Sequence, residues 1–331
     1  MEKVCIIGFG SWGIALACLL EKNGHNVVMW EPNESLAKML DSERENKRSL
    51  PGITIPKNIK ITSDINHAVE QDLLLIALSS KDIPTVFPSL VPLLREGQVL
   101  INASKGLIQK DGHQLRITQY LKETAPMCDV ACLSGPSHAE EVSRNMPTAV
   151  TVASIDEAIA KRLQNTFSEE NFRVYTSTDI IGVELGGVLK NVIALAAGIS
   201  NGLGFGDNTK AGLITRGIAE IARLGVAMGA NIQTFAGLSG IGDLIVTCTS
   251  QHSRNWRAGN LLAQEKPVAQ VLQEVNMAVE GINTAAPVLE LANKYGVEMP
   301  IVEEVNKILY HGKKPKNAVV DLMNRDVGSE K

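Results

Sequence analysis

Short apolar runs, each long enough for a strand, are spaced along the first half of the chain. They are Val4-Cys5-Ile6-Ile7, Val27-Val28-Met29-Trp30, Leu73 to Ala77, Gln98 to Asn102, Val130 to Leu133 and Ala149 to Val152. Helical patterns lie between these runs, and that alternation predicts a mostly parallel sheet with helices on its faces. Phe172 to Thr176 is the last strand candidate. From Asp179 onward the strand pattern vanishes and Ala-, Leu- and Gly-rich helical periodicity replaces it. The expected architecture is therefore α/β: a doubly wound sheet over residues 1–178, then an all-helical unit over 179–331. Arg325 to Lys331 is expected to fray.

The turn after the first run has glycines at three set positions, Gly8-Phe9-Gly10-Ser11-Trp12-Gly13. Gly8 permits a tight turn out of a buried strand, Gly10 a close backbone approach to a pyrophosphate, and Gly13 close helix-to-sheet packing. The helix that follows presents unpaired N–H groups and a partial positive charge, which favour an anion without a basic side chain. Glu31 closes the second run, at about the 20-residue spacing of a ribose-binding carboxylate. A carboxylate there accepts from ribose hydroxyls and repels a 2′-phosphate, so NADH is expected to be favoured over NADPH. The alternative is a solvated strand end, with Pro32, Asn33 and Lys38 rearranging the loop.

Composition narrows the class. At 331 residues the chain exceeds one domain of roughly 100–200 residues, and 44% hydrophobic content supplies two cores. A net charge of −4 with no long basic run argues against nucleic acid or an anionic membrane as partner. Cys5, Cys18, Cys128, Cys132 and Cys248 are odd in number and mostly lie in apolar runs, as reduced core thiols of a cytoplasmic protein do. Cys128 and Cys132 lack a second pair or histidines at zinc spacing, so no metal is expected. The first apolar run is short and broken by Gly8 to Gly13, so neither a secretory signal nor a membrane span is expected.

Four segments carry candidate chemistry. Within Val183 to Ile199 the one long basic side chain is Lys190, and helical spacing puts Val183, Gly186, Gly187, Ile193, Ala194 and Ala197 on its face. That face offers no acid partner and leaves room for a ligand or another element. Burial would lower the lysine pKa and suit it to move a proton near neutrality; snorkelling, or pairing with a distant acid, is the alternative. Lys105, just after the fourth predicted strand, could bind an anionic or carbonyl substrate or simply be solvated. Ser134-Gly135-Pro136-Ser137-His138-Ala139 follows the fifth and could hold a phosphate, or be a plain turn. Ser253-Arg254-Asn255 sets hydroxyl, guanidinium and amide together, a good set for an anion.

In order along the chain, the Gly8 to Ala17 opening, Ser134 to Ser137, Glu184-Leu185 through Leu189-Lys190-Asn191-Val192, Gly240-Ile241-Gly242-Asp243-Leu244 and Ser253-Arg254-Asn255 resemble bacterial-type NAD(P)-dependent glycerol-3-phosphate dehydrogenases over nearly the whole length. The resemblance implies a 6-phosphogluconate dehydrogenase-like fold and interconversion of sn-glycerol 3-phosphate and dihydroxyacetone phosphate. It implies NAD or NADP as cofactor and a small-molecule substrate, and it leaves a homodimer open. It implies Lys190 as general acid/base and Lys105 near cofactor and substrate. Substrate contacts would be Gly135, Ser137, Asp243, Ser253, Arg254 and Asn255; cofactor contacts would be Ser11, Trp12, Ala139, Arg254 and Glu280. Asp243 could equally cap its own loop. Two positions depart from the family pattern: His138 stands where Phe is common, and Glu31-Pro32 where Arg or His often follows the second strand. A related hydroxyacid or sugar-phosphate dehydrogenase, or a non-catalytic nicotinamide sensor, would share the fold.

Overall fold

The computed structural model describes residues 1–326. The strands are β1 (Lys3–Ile7), β2 (Asn26–Trp30), β3 (Lys60–Thr62), β4 (Leu73–Ile76), β5 (Val99–Asn102), β6 (Leu107–Lys110), β7 (His113–Arg116), β8 (Asp129–Ser134), β9 (Thr148–Ala153) and β10 (Phe172–Ser177). Helices α1 (Ser11–Lys22), α2 (Glu34–Glu43), α3 (Ile65–Val69), α4 (Ile83–Leu90), α5 (Ile117–Thr124), α6 (Ala139–Val142) and α7 (Glu157–Phe167) are interleaved with them. Eight strands form one sheet in the order β10-β9-β8-β5-β4-β1-β2-β3, and β6 and β7 form a separate hairpin. From β3 to β8 all pairings are parallel. β9 is antiparallel to β8 and parallel to β10, so the last two strands run against the rest.

Alternation along β1 sorts its side chains onto two faces. Val4 and Ile6 pack with Ile14 and Leu20 of α1 and Phe167 of α7, while Cys5 and Ile7 pack with Phe87 of α4 and Leu121 of α5. The strand order reverses between β1 and β4, the crevice where open α/β sheets take ligands. All expected strands form. The sequence reading lacked β3, a three-residue edge strand, and the β6–β7 hairpin, whose second strand, His113-Gln114-Leu115-Arg116, is mostly polar. Asp111 and Gly112 make its turn at φ +51° and +76°, which an Asp-Gly pair favours.

The second half is helical: α8 (Ile180–Gly202), α9 (Asp207–Ala227), α10 (Asp243–Thr249), α11 (Arg254–Leu262), α12 (Val268–Val275), α13 (Glu280–Tyr295), α14 (Pro300–Tyr310) and α15 (Pro315–Met323). Asp179 caps α8, accepting from the Gly182 N–H at 2.8 Å. Hydrophobic all round, α8 is surrounded by α9, α10, α11, α13 and α14, as an apolar helix in a folded core must be. Its 23 residues are long and apolar enough to cross a membrane, but 89% of its most apolar window is buried inside the fold. The five cysteines are unpaired. Of the expected frayed tail, residues 327–331 lie outside the described residues.

Glu220 on α9 shows how the helices are tied. Buried, its carboxylate accepts from the Ile301 N–H (2.8 Å) and the Val302 N–H (3.4 Å) at the start of α14, filling donors that a helix start leaves free. Burial pushes its pKa up to about 7. A carboxyl whose pKa is raised by folding gives stability that is full below its unfolded pKa and lost as pH rises through the folded value. Thermal melts of wild type and Glu220→Gln at pH 5 and pH 8 should therefore show the variant gaining relative to wild type at pH 8. An offset that does not change with pH would rule out this titration.

Candidate active site

A cleft of about 720 Å³ opens where the carboxyl ends of the parallel strands face the helical half. Gly8, Gly10, Ser11, Trp12 and Glu31 line one end. Gly8 turns at φ +118°, and a Cβ on it would lie 2.8 Å from the Ala77 carbonyl oxygen. Gly13 lies under the turn, where a Cβ would meet the Gly8 carbonyl at 2.5 Å. Nothing in the protein lies within 4 Å of a Cβ position on Gly10, which faces the open cleft. α1 has no side-chain cap, so its first N–H groups point at that space. The Trp12 indole N–H and the Ser79 hydroxyl are buried there without partners. Together these features fit a dinucleotide pyrophosphate and ribose. Glu31 holds the Asn33 N–H at 3.0 Å, and burial raises its pKa.

The other end is built around Asp243. The segment Leu238–Gly242 winds as a π-helical turn into α10, a widened turn frequent at functional sites. A Cβ on Gly186 of α8 would overlap the Ser239 carbonyl, so that glycine lets the turn lie directly on α8. Asp243, 1% exposed, arrives beside Lys190 and ion-pairs with it through Oδ1, while its Oδ2 takes the Lys105 ammonium at 2.8 Å. Lys190 Nζ also donates to the Thr247 hydroxyl at 2.7 Å, and that hydroxyl donates to the Asp243 carbonyl at 2.6 Å. Lys190's own helix face holds no acid, and of the alternatives left open by the sequence it is pairing with a distant acid that the structure shows. The small residues on that face admit another element, and the element brings Asp243. Burial still holds the Lys190 pKa well below the usual lysine range; Asp243 opposes that shift and the Lys105 charge adds to it.

The remaining predicted residues gather around this pair. Ser137, Ala139, Ser253, Arg254, Asn255 and Glu280 line the same cleft. Gly135 does not; at φ +148° it packs on Val150, where a Cβ would sit 2.9 Å from Cα. The Ser253 hydroxyl caps α11 through the Trp256 N–H. Asn255 is held by Asn191 (2.9 Å) and the Gly281 N–H (2.8 Å). Arg254 has no protein hydrogen bond from its guanidinium among the described residues, and Glu280 offsets the effect of burial on it. Glu280 itself takes the Ser80 hydroxyl at 2.9 Å, joining α13 to the loop after β4. His138 packs 6.0 Å from the His252 ring with its Nε2 unpartnered, and burial, then the Lys190 charge, lower its pKa. The Ser79-Ser80 loop stands where its place at the carboxyl end of a parallel strand predicts, against the cleft. Thr247 and Asn191 were missed from sequence, and of these Thr247 had a signal, four residues after Asp243 on one helix face.

A dinucleotide cradle at one end and a buried lysine–aspartate set beside the Arg254 guanidinium at the other define a nicotinamide-dependent dehydrogenase whose second half is helical. Profiles of the N-terminus and C-terminus of NAD-dependent glycerol-3-phosphate dehydrogenase match residues 3–160 and 179–320. The chain belongs to that family. It is 51% identical over 329 residues to the glycerol-3-phosphate dehydrogenase (NAD(P)+) of Fusobacterium nucleatum, across 98% of each chain. To the Bacillus subtilis enzyme of the same name it is 49% identical, across 98% of this chain and 95% of that one. The crystal structure of glycerol-3-phosphate dehydrogenase from Coxiella burnetii superposes with a TM-score of 0.93 at 36% identity, covering 98% of this chain and 99% of the other.

Gly186→Ala tests the contact that delivers Asp243. The added methyl must displace the π-helical turn, so unfolding stability should fall by about 1–3 kcal/mol, as overpacking commonly costs. Denaturant titration measures it; an unchanged midpoint would mean that the turn yields freely.

Proposed function

We propose that this enzyme interconverts dihydroxyacetone phosphate and sn-glycerol 3-phosphate, supplying glycerol 3-phosphate for phospholipid synthesis in the reducing direction. The observation that carries this reading is Lys190, buried and paired to Asp243, in one cleft with the dinucleotide cradle. Residues 1–178 would hold the dinucleotide and 179–331 the substrate. The nicotinamide, when bound, supplies the hydride. Lys190 Nζ gives a proton to the ketone oxygen and takes it back from the C2 hydroxyl in reverse. Asp243 and Thr247 hold that ammonium in place. Lys105, partly exposed, adds a second positive charge beside the carbonyl. Arg254 has donors to spare and clamps the phosphate, assisted by Asn255 and the Ser253 and Ser137 hydroxyls. Ser11, Trp12, Ala139 and Glu280 would line the cofactor. Glu31 at the ribose end favours NADH over NADPH. The protein would work in the cytoplasm without stable membrane insertion, and the fold permits a homodimer.

The decisive assay follows NADH and NADPH absorbance with dihydroxyacetone phosphate, using unphosphorylated dihydroxyacetone as control. Oxidation that requires the phosphate is expected; none with either cofactor, in folded protein, would overturn the reading. Glu31→Ser should raise NADPH use relative to NADH, and an unmoved ratio would take Glu31 off the ribose. Lys190→Ala should lower turnover about 10²–10⁴-fold, the usual worth of a positioned proton carrier. Reduction needs the charged lysine and oxidation the neutral one. Reduction rate should therefore fall, and oxidation rate rise, as pH climbs through a single value well below that of a free lysine.

A further inference from the structure

Glu184 lies six residues before Lys190 on α8, outside the cleft lining, and is 3% exposed. Its carboxylate is fully engaged by the sheet half of the molecule. Oε1 accepts from Asn102 Nδ2 at 3.0 Å and the Thr118 N–H at 2.9 Å. Oε2 accepts from Arg116 Nη1 at 2.8 Å and from the Thr118 hydroxyl. Asn102 ends β5, and its Oδ1 accepts the Ser104 N–H at 2.9 Å. The Ser104 hydroxyl donates to the Leu78 carbonyl at 2.6 Å, fixing the loop, and the next residue is Lys105. The circuit then runs from Lys105 to Asp243 to Lys190 and closes along α8.

We propose that Glu184 is a positioning residue: through Asn102 and Ser104 it seats the Lys105 loop and so sets how close the Lys105 and Lys190 ammonium groups lie across Asp243. A merely cohesive seam would need only apolar contact. Here a buried carboxylate with every lone pair directed fixes one half of the molecule against the other at the base of both lysines. The groups acting on Lys190 are Asp243 and Lys105, with His138 at the start of α6 across the cleft and Cys248 of α10. Burial pushes the Cys248 thiol up to about 12, which leaves it uncharged, so the Lys105 distance is the adjustable quantity.

The proposal rests on Lys190 being the proton carrier, and one set of pH–rate profiles separates the two claims. Reduction of dihydroxyacetone phosphate and thermal melting are measured for wild type, Glu184→Gln, Asn102→Ala, Thr118→Val and Lys190→Arg. Glu184→Gln and Asn102→Ala should let Lys105 retreat and relieve its repulsion of Lys190. The alkaline limb should then move up by about one pH unit, the effect of withdrawing a like charge by a couple of ångströms at an effective dielectric near 20. In both, kcat should drop roughly tenfold or more with KM nearly kept, as for an interaction made in the transition state. Thr118→Val, which leaves Asn102 in place, should melt earlier with its limb unmoved. If Glu184→Gln does not fold, Asn102→Ala decides alone. Earlier melting in every variant with a fixed limb would overturn the positioning role and leave Glu184 as a staple. A wild-type limb persisting in the residual activity of Lys190→Arg would instead overturn the proton-carrier reading, and this proposal with it.

Discussion

Asp243 sits between two lysines at the meeting of the sheet and helical halves, and most of the site's architecture serves that placement. A carboxylate at 1% exposure is costly to bury, and its attraction to a single lysine repays that cost only in good geometry. Here both oxygens are engaged, each by a different ammonium, and the two cations come from opposite halves of the chain. With Lys190 protonated the trio carries a net positive charge. Arg254 adds another across the cleft, so the pocket electrostatically suits a phosphate dianion. Stability alone would be served as well by apolar packing; the charges are better explained by the chemistry they permit.

The helix α8 is the axis on which this is built. Its glycines let neighbours come to backbone distance: Gly186 admits the π-helical turn that carries Asp243, and Gly187 meets the Ser134 hydroxyl, where a Cβ would sit 2.5 Å away. Three of its polar side chains reach other elements. Glu184 reaches the sheet half, Lys190 reaches Asp243, and Asn191 reaches Asn255. Glu280 and Ser80 add a second tie across the same seam. Lys190 and the glycine turn after β1 are thus held by separate elements whose relative position depends on a handful of buried polar contacts.

Much of this was legible from residues alone, because it rests on local pattern. Strand-length apolar runs, the Gly8 to Gly13 turn and the change of texture at Asp179 report on burial, turn geometry and periodicity, which a linear sequence encodes directly. The misses were those where local signal is weak. β3 is three residues long, and β7 alternates poorly because three of its four residues are polar. The reversal of β9 and β10 has no signature in either strand, since direction is set by the path of the connection rather than by composition.

By itself, then, the sequence determined the two-part architecture, the anion-ready turn and a lone lysine on a small-residue helix face. Tertiary structure alone decided what meets that lysine. Its partner Asp243 lies 53 residues further on, and Lys105 lies 85 residues before it, so no spacing rule connects the three. Their meeting depends on a glycine gap being filled by a particular backbone turn and on a buried carboxylate, Glu184, bonding to the end of β5. Such contacts arise from how separately folded faces fit, and shape complementarity between distant segments is not written in the periodicity of either one.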